Sequence, residues 1–223
     1  MVGAPGAGKG TQATILGERL GLPIVASGEL LRDAVRSVTP LGRKAEGYME
    51  RGALVPDDLV LRLIGERLRQ PDAAEGAILD GFPRTRMQAE ALDEFLRRRG
   101  AAVEAALYID VPRDALFRRL SGRWLCRAEG HPYHEVDRPP KKPGVCDIDG
   151  SELYQRPDDE PETVRQRLQR QLPPMYEVAD YYSQRGLLST IKGDAPIDEV
   201  ADSLMRAIAQ PAPEPAQAQA PKR

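Results

Sequence analysis

No stretch of this chain is long and apolar enough to span a bilayer: no hydrophobic run approaches the roughly 20 residues that a crossing helix needs. The opening residues also lack the charged-then-apolar pattern of a secretory leader. Cysteine is scarce. Cys126 and Cys146 are the only two, too few for a disulfide framework and simplest to place in a reducing cytoplasm. Positive charge is not in excess either; the formal net charge is −2, which excludes a nucleic-acid binder held mainly by electrostatics. The Asn-Lys-x-Asp run by which a switch GTPase reads guanine is absent.

What remains is an ordinary globular composition, 223 residues with 41% hydrophobic and 30% charged. That is enough for one full domain, with room for insertions. Short apolar runs at Pro23–Ala26, Ala77–Asp80, Ala105–Asp110 and Leu187–Ile191 read as strands. Helical periodicity occupies Thr11–Leu20, Leu59–Leu68, Gln88–Arg99, Asp114–Leu120, Glu162–Gln171 and Ile197–Ile208. Strands alternating with helices give βαβ units, a parallel sheet and the α/β class. Two regions interrupt the alternation. Ser27–Val55 carries mostly helical pattern, punctuated by Gly42, Gly47 and Gly52, and Gly122–Asp159 is polar, rich in Pro and Gly, and too long for an ordinary connection. The chain therefore divides into a core of residues 1–25, 56–121 and 160–209, a helical insertion at 26–55 and a second insertion at 122–159. The tail 210–223 is expected to be disordered. Only Met1 and Val2 precede the first glycine-rich turn, so the first strand reads as clipped or as starting upstream of the given first residue.

That turn carries the clearest chemistry: Gly3-Ala4-Pro5-Gly6-Ala7-Gly8-Lys9-Gly10-Thr11, followed by an amphipathic helix. Glycines reach φ angles closed to other residues, so successive backbone N–H groups can face one anion. The helix N-terminus adds its positive dipole. Lys9 is placed to reach outer phosphates, and Thr11 to lie near the metal-bearing face. Gly10 stands where a general phosphate loop has Ser or Thr.

Continued through Gln12, this loop resembles that of the adenylate kinase family, and three further segments agree. Ala26-Ser27-Gly28-Glu29-Leu30-Leu31-Arg32 is similar to the family's Ser-Thr-Gly-Asp-x-Leu-Arg. Asp80-Gly81-Phe82-Pro83-Arg84-Thr85, with Gln88, resembles its hallmark run. Gly122-Arg123, Arg156-x-Asp158-Asp159 and Arg165-x-Arg167 resemble its lid and the helix after it. The resemblance covers Gly3 to about Ala209. It implies a P-loop NTPase-like parallel five-stranded sheet flanked by helices, with the two insertions as AMP-binding and lid segments. It also implies reversible phosphoryl transfer from ATP to AMP by a cytoplasmic monomer, with Mg²⁺ and with no nucleic-acid or membrane partner. The alternative is a kinase for another nucleoside monophosphate, UMP or CMP.

By the same resemblance, ATP is held by Gly6, Ala7, Gly8, Lys9, Gly10, Thr11, Arg119, Arg123, Pro132, Tyr133 and Ala195. AMP is held by Ser27, Arg32, Ala53, Leu54, Val55, Gly81, Phe82, Pro83, Arg84, Gln88, Arg156 and Arg167. The catalytic set is Lys9, Asp80, Arg84, Arg123, Arg156 and Arg167, with Asp80 ordering water around Mg²⁺. Arginine suits such a site because its planar fork donates bidentate bonds to phosphate and stays charged. Trp124 departs from the basic residue common beside Arg123. In the lid, Cys126-x-x-Glu129 and Cys146-x-x-Asp149 reproduce the spacing of a zinc knuckle, with Glu129 as a hard oxygen donor. His131 or His134 could replace Glu129. The other readings are a metal-free polar network and a Cys126–Cys146 disulfide.

Overall fold

The computed structural model describes residues 1–210, so the expectation for the tail from residue 211 on lies outside the described residues. The chain begins with a two-residue strand, β1 (Val2–Gly3), and turns into α1 (Lys9–Leu20). β2 (Ile24–Ala26) leads directly into α2 (Ser27–Arg36) and α3 (Pro40–Glu50), after which α4 (Asp57–Arg67) returns to β3 (Ile78–Asp80). Then follow α5 (Arg86–Arg97), β4 (Ala106–Asp110) and α6 (Arg113–Ser121). Three short strands, β5 (Arg123–Cys126), β6 (Pro132–His134) and β7 (Leu153–Tyr154), precede α7 (Pro161–Gln184), β8 (Leu188–Lys192) and α8 (Ile197–Ala209). No described helix is long and apolar enough to cross a membrane.

The sheet departs from the expected single five-stranded one. β1, β4 and β8 form one parallel ladder, β2 and β3 a separate parallel pair. The gap falls between β1 and β3: the two residues of β1 pair with Tyr108 and Ile109 on one edge, and no ladder joins the other edge to β3. A single bond crosses it, from the Met1 amine to the Leu79 carbonyl at 2.8 Å.

Three apolar clusters hold the chain. The largest lies between the β1–β4–β8 ladder and its helices, with Leu16, Ile109, Leu120, Leu168, Val178, Tyr182 and Leu204 almost wholly buried. A second joins α2, α3, α4 and α5 through Leu31, Ala45, Val60, Ile64, Phe82 and Leu92. A small third one, Cys126, Tyr133, Cys146 and Leu153 with Trp124 against it, belongs to the antiparallel β6–β5–β7 sheet. The Trp124 side chain thus packs on this small core.

α7 runs well past the expected end at Gln171, through Pro173 and Pro174. An interior proline costs about 3 kcal/mol in a helix. Here the apolar stripe of Val164, Leu168, Met175, Val178 and Tyr182 continues across the prolines into the main core, and that burial outweighs the lost backbone bonds.

Candidate active site

The glycine turn between β1 and α1 takes the shape its residues require. Gly6 and Gly8 have φ of +82° and +90°, and Gly8 caps α1 in the left-handed region. A Cβ on Gly6 would lie 2.8 Å from Leu120 Cγ, so the loop is pressed onto α6. Lys9, the first residue of α1, folds its amine back onto the Gly3 and Ala4 carbonyls, both at 2.8 Å. Burial lowers its pKa to about 8, against the pull of nearby Asp80. Asp80 ends β3 beside the loop: a Cβ on Gly10 would stand 3.5 Å from its Oδ2. Its Oδ1 is buried without any partner.

Six arginines come to this loop from separate parts of the chain. Arg32 projects from α2, Arg84 from the turn after β3, Arg119 from α6, Arg123 from β5, Arg156 from the segment before α7, and Arg167 from α7. All six line one cleft of about 1340 Å³, together with Gly6–Thr11, Asp80, Gly81, Pro83, Pro132, Tyr133 and Ala195. Acidic partners hold part of the cluster. Arg123 makes a two-point pair with Asp159, which is fully buried, and Arg167 reaches Asp158 at 2.7 Å and Asp159 at 3.3 Å. Glu29 accepts from Arg32 and from Arg156, the latter at 3.1 Å. Burial alone would push the Asp158 carboxyl upward, yet Arg167, Arg123 and Arg156 together bring it below its ordinary value.

Arg84 is different. Its bonds go to neutral oxygens, from Nε to Gly81 O at 2.7 Å and from Nη1 to Gln171 Oε1 at 3.2 Å. Burial first, then repulsion from Arg167, lowers its pKa to about 10. Asp80 and Asp158 offset this only in part and neither bonds it directly, and an enclosed cation without a bonded anion is an arrangement that a negative ligand would relieve.

A smaller pocket opens beside the cleft, lined by Ser27, Arg32, Ala53, Leu54, Val55, Arg84, Gln88 and Arg167. Ser27 Oγ donates to Gly81 O at 2.6 Å, and Gly81, at φ +67°, leaves room for Arg84 Nη2, which a Cβ would approach to 3.0 Å. Two expected residues turn elsewhere. Phe82 is wholly buried in the core under α2–α4. Tyr133 lines the cleft only with its ring, its hydroxyl being taken up within the β6–β5–β7 segment by Cys146 Sγ and the Asp147 amide. Two contacts had no local signal: Gln171, which joins Arg84 to Gly52 O, and Asp57, which accepts from Thr85 and Gln88. Glu29 stood inside a quoted motif without a role. The carboxylate pair Asp158-Asp159 stood inside a quoted motif without a role.

The segment of β5, β6 and β7 places Cys126, His131, Cys146 and Asp149 with their donor atoms all within 4.8 Å of one another. Glu129, expected second in the set, is exposed and outside the group. The reason is a turn: Gly130, at φ +72°, donates to Cys126 O, and the next residue, His131, folds its amide and its Nδ1 onto Cys126 Sγ at 3.2 and 3.3 Å. His134 instead bonds Arg118 O and the Val136 and Asp137 amides. Both cysteines are free and buried. Bonds from Ser151 hold the Asp149 carboxyl well below the usual carboxylate range.

Comparison with known proteins agrees with this geometry. The family model described as Adenylate kinase matches residues 1–187. A protein of Caldicellulosiruptor saccharolyticus named Adenylate kinase is 45% identical over 208 residues, 93% of this chain and 97% of its own. Proteins of the same name from Listeria innocua and Streptomyces avermitilis are each 46% identical, the first over 90% of this chain and 93% of its own, the second over 93% and 95%. With matches of this extent laid over a phosphate loop and its ring of arginines, the chain belongs to the adenylate kinase family.

Proposed function

We propose that this protein transfers the terminal phosphoryl group of ATP to AMP, reversibly, giving two ADP. One observation carries the reading: Arg84 is enclosed in a cleft shared with Lys9 and five more arginines, and its hydrogen bonds go only to neutral oxygens. Two nucleotides meeting end to end bring several negative charges together and would match that field.

In this reading the Gly6–Thr11 amides and Lys9 hold the ATP phosphates, with Arg119, Arg123, Pro132, Tyr133 and Ala195 on the same side. Ser27, Arg32, Ala53–Val55, Gly81, Pro83, Arg84 and Gln88 hold AMP in the adjoining pocket. Phosphoryl transfer passes through a loose, charge-spread transition state, so the work is positioning and electrostatic stabilisation and calls for no general base. Arg123, Arg156 and Arg167 stand over the junction, partly neutralised by Asp158, Asp159 and Glu29 until phosphates displace those carboxylates. Closure of 26–55 and 122–159 as mobile segments over the core would exclude water and suppress ATP hydrolysis.

Mg²⁺ fits beside Asp80, whose buried Oδ1 lacks a partner and could hold the ion's waters. When bound with ATP, the ion neutralises phosphate charge. In the lid, tetrahedral bonds of 2.0–2.3 Å set donor atoms roughly 3.5 Å apart. The bonded separations, 3.0 Å for His131–Asp149, 3.2 Å for Cys126–Asp149, 3.3 Å for Cys126–His131 and 3.5 Å for Cys146–His131, lie near that value, and all four donors stay within 4.8 Å, so small side-chain shifts would seat zinc. The two parallel ladders would act as one sheet in the order β2-β3-β1-β4-β8, joined at Met1–Leu79. A monomer is sufficient, since one chain lines the whole cleft, and free buried cysteines suit a cytoplasmic setting.

The test is a coupled assay with Mg·ATP and each of AMP, CMP, UMP, GMP and dTMP. AMP should be phosphorylated far faster than the rest; a preference for another monophosphate would replace this reading by that kinase activity.

A further inference from the structure

Gln88 lines the smaller pocket, yet its side chain is only 1% exposed and is gripped from two sides. Its Nε2 donates to Asp57 Oδ1 at 2.6 Å, and its Oε1 accepts from the Arg84 backbone N–H at 2.7 Å. A side-chain amide has two orientations that exchange N and O, and nothing in its own shape chooses between them. The partners choose. A carboxylate only accepts and a backbone N–H only donates, so the flipped amide would set oxygen against oxygen and N–H against N–H. Asp57 is itself anchored, since its Oδ2 accepts from Thr85 Oγ1 at 3.0 Å, and Thr85 caps the start of α5. The amide is left with one unused Nε2 hydrogen and one unused Oε1 lone pair.

That remaining pair is a donor beside an acceptor in a fixed order. A 6-aminopurine offers the complement, an amino group that donates and an unprotonated N1 that accepts. A 6-oxopurine offers the reverse, an oxygen that accepts and an N1–H that donates. We propose that Asp57 sets the base specificity of the monophosphate site: it locks the Gln88 amide in the one orientation that accepts adenine and rejects a 6-oxopurine. The proposal rests on the AMP reading above. The rejection works by leaving two polar groups mismatched in a buried site, which is the strongest form of discrimination a hydrogen-bonding pocket has. Asp57 touches no substrate and is a positioning residue.

Asp57→Asn is close in shape, but an Asn side chain can present either oxygen or N–H to Gln88, so one of the two locks is lost. Kinetics with AMP and with inosine monophosphate, which differs only at position 6 and N1, read the effect. The AMP:IMP ratio of kcat/KM should fall at least tenfold in Asp57→Asn, mainly through the monophosphate KM, with the ATP KM unmoved. Thr85→Val, which cuts the other bond to Asp57 and weakens the α5 cap, should lower Tm while keeping most of the ratio. If the native enzyme does not prefer AMP to IMP, the AMP reading of the pocket fails and takes the proposal with it. If it does, and Asp57→Asn keeps the full ratio, the assignment of Asp57 is overturned.

Discussion

The Lys9 amine is enclosed by the phosphate loop, bound to two of that loop's own carbonyls, and its pKa is about 8 rather than the ordinary 10.5. Burial disfavours its charged form in the free protein, so above pH 8 the amine is mostly neutral. A triphosphate placed beside it favours the charged form and pulls the pKa back up. Between the free and bound values, ATP binding must therefore take up a proton. At pH 9 the uptake should approach roughly one proton per ATP, seen as a binding enthalpy that changes with the ionisation enthalpy of the buffer. Lys9→Arg, permanently charged, should bind with far less buffer dependence. Equal enthalpies in all buffers for the native protein would mean that Lys9 is already charged when free. The loop that creates this situation was legible from residues 3–11 alone, because glycine spacing and the helix start are local. Asp57 was not, since its partner Gln88 lies 31 residues along the chain and only the packing of α4 against α5 brings them together.

At the scale of elements, the corner between α2 and α3 shows how tightly the helical insertion is built. Gly42 lies against the end of α2, where a Cβ would fall 2.0 Å from the Ala34 carbonyl oxygen. Thr39 ties the corner, donating from Oγ1 to Ala34 O and accepting from the Gly42 amide. To make that turn the chain puts Val38 at φ +51°, a left-handed conformation that a β-branched residue adopts at a cost. The two residues therefore predict opposite effects. Gly42→Ala must push two backbones apart and should destabilise the protein by about 1–3 kcal/mol. Val38→Gly removes strain at an exposed site and should leave stability equal or raise it by up to about 1 kcal/mol. Denaturant titration of both variants decides; a neutral Gly42→Ala would mean the corner yields easily. The sequence marked this region as helical with glycine punctuation, but helical period alone does not say which glycine is a contact and which a hinge. The same limit ended the helix expected from Glu162 at Gln171. Proline is a local stop signal, whereas the apolar stripe that carries α7 through Pro173 and Pro174 gains its energy from strands elsewhere in the chain.

Across the whole molecule the three apolar clusters differ greatly in size, and the 122–159 segment, proposed above as a lid, has the least to stand on. Its core is Cys126, Tyr133, Cys146 and Leu153 with Trp124 beside them, under three short strands. A segment this small seldom folds firmly without a staple, and the grouping of Cys126, His131, Cys146 and Asp149 supplies the donors for one. Of the four residues that spacing selected, Cys126, Cys146 and Asp149 stand in this grouping; the x-x spacing after Cys126 selected Glu129, while the Gly130 turn brings His131 there instead. Protein purified with zinc present should then hold about one equivalent of the metal, which a strong chelator removes. His131→Ala should lose it, and Glu129→Gln should keep it. Because the lid cluster is separate from the two larger cores, chelation should speed hydrogen exchange in residues 123–154 and leave β4, β8 and α7 as protected as before. Less than a tenth of an equivalent of zinc in the native protein would show the four side chains to be a metal-free polar network, and zinc lost on Glu129→Gln but kept on His131→Ala would restore the ligand set that spacing alone suggested.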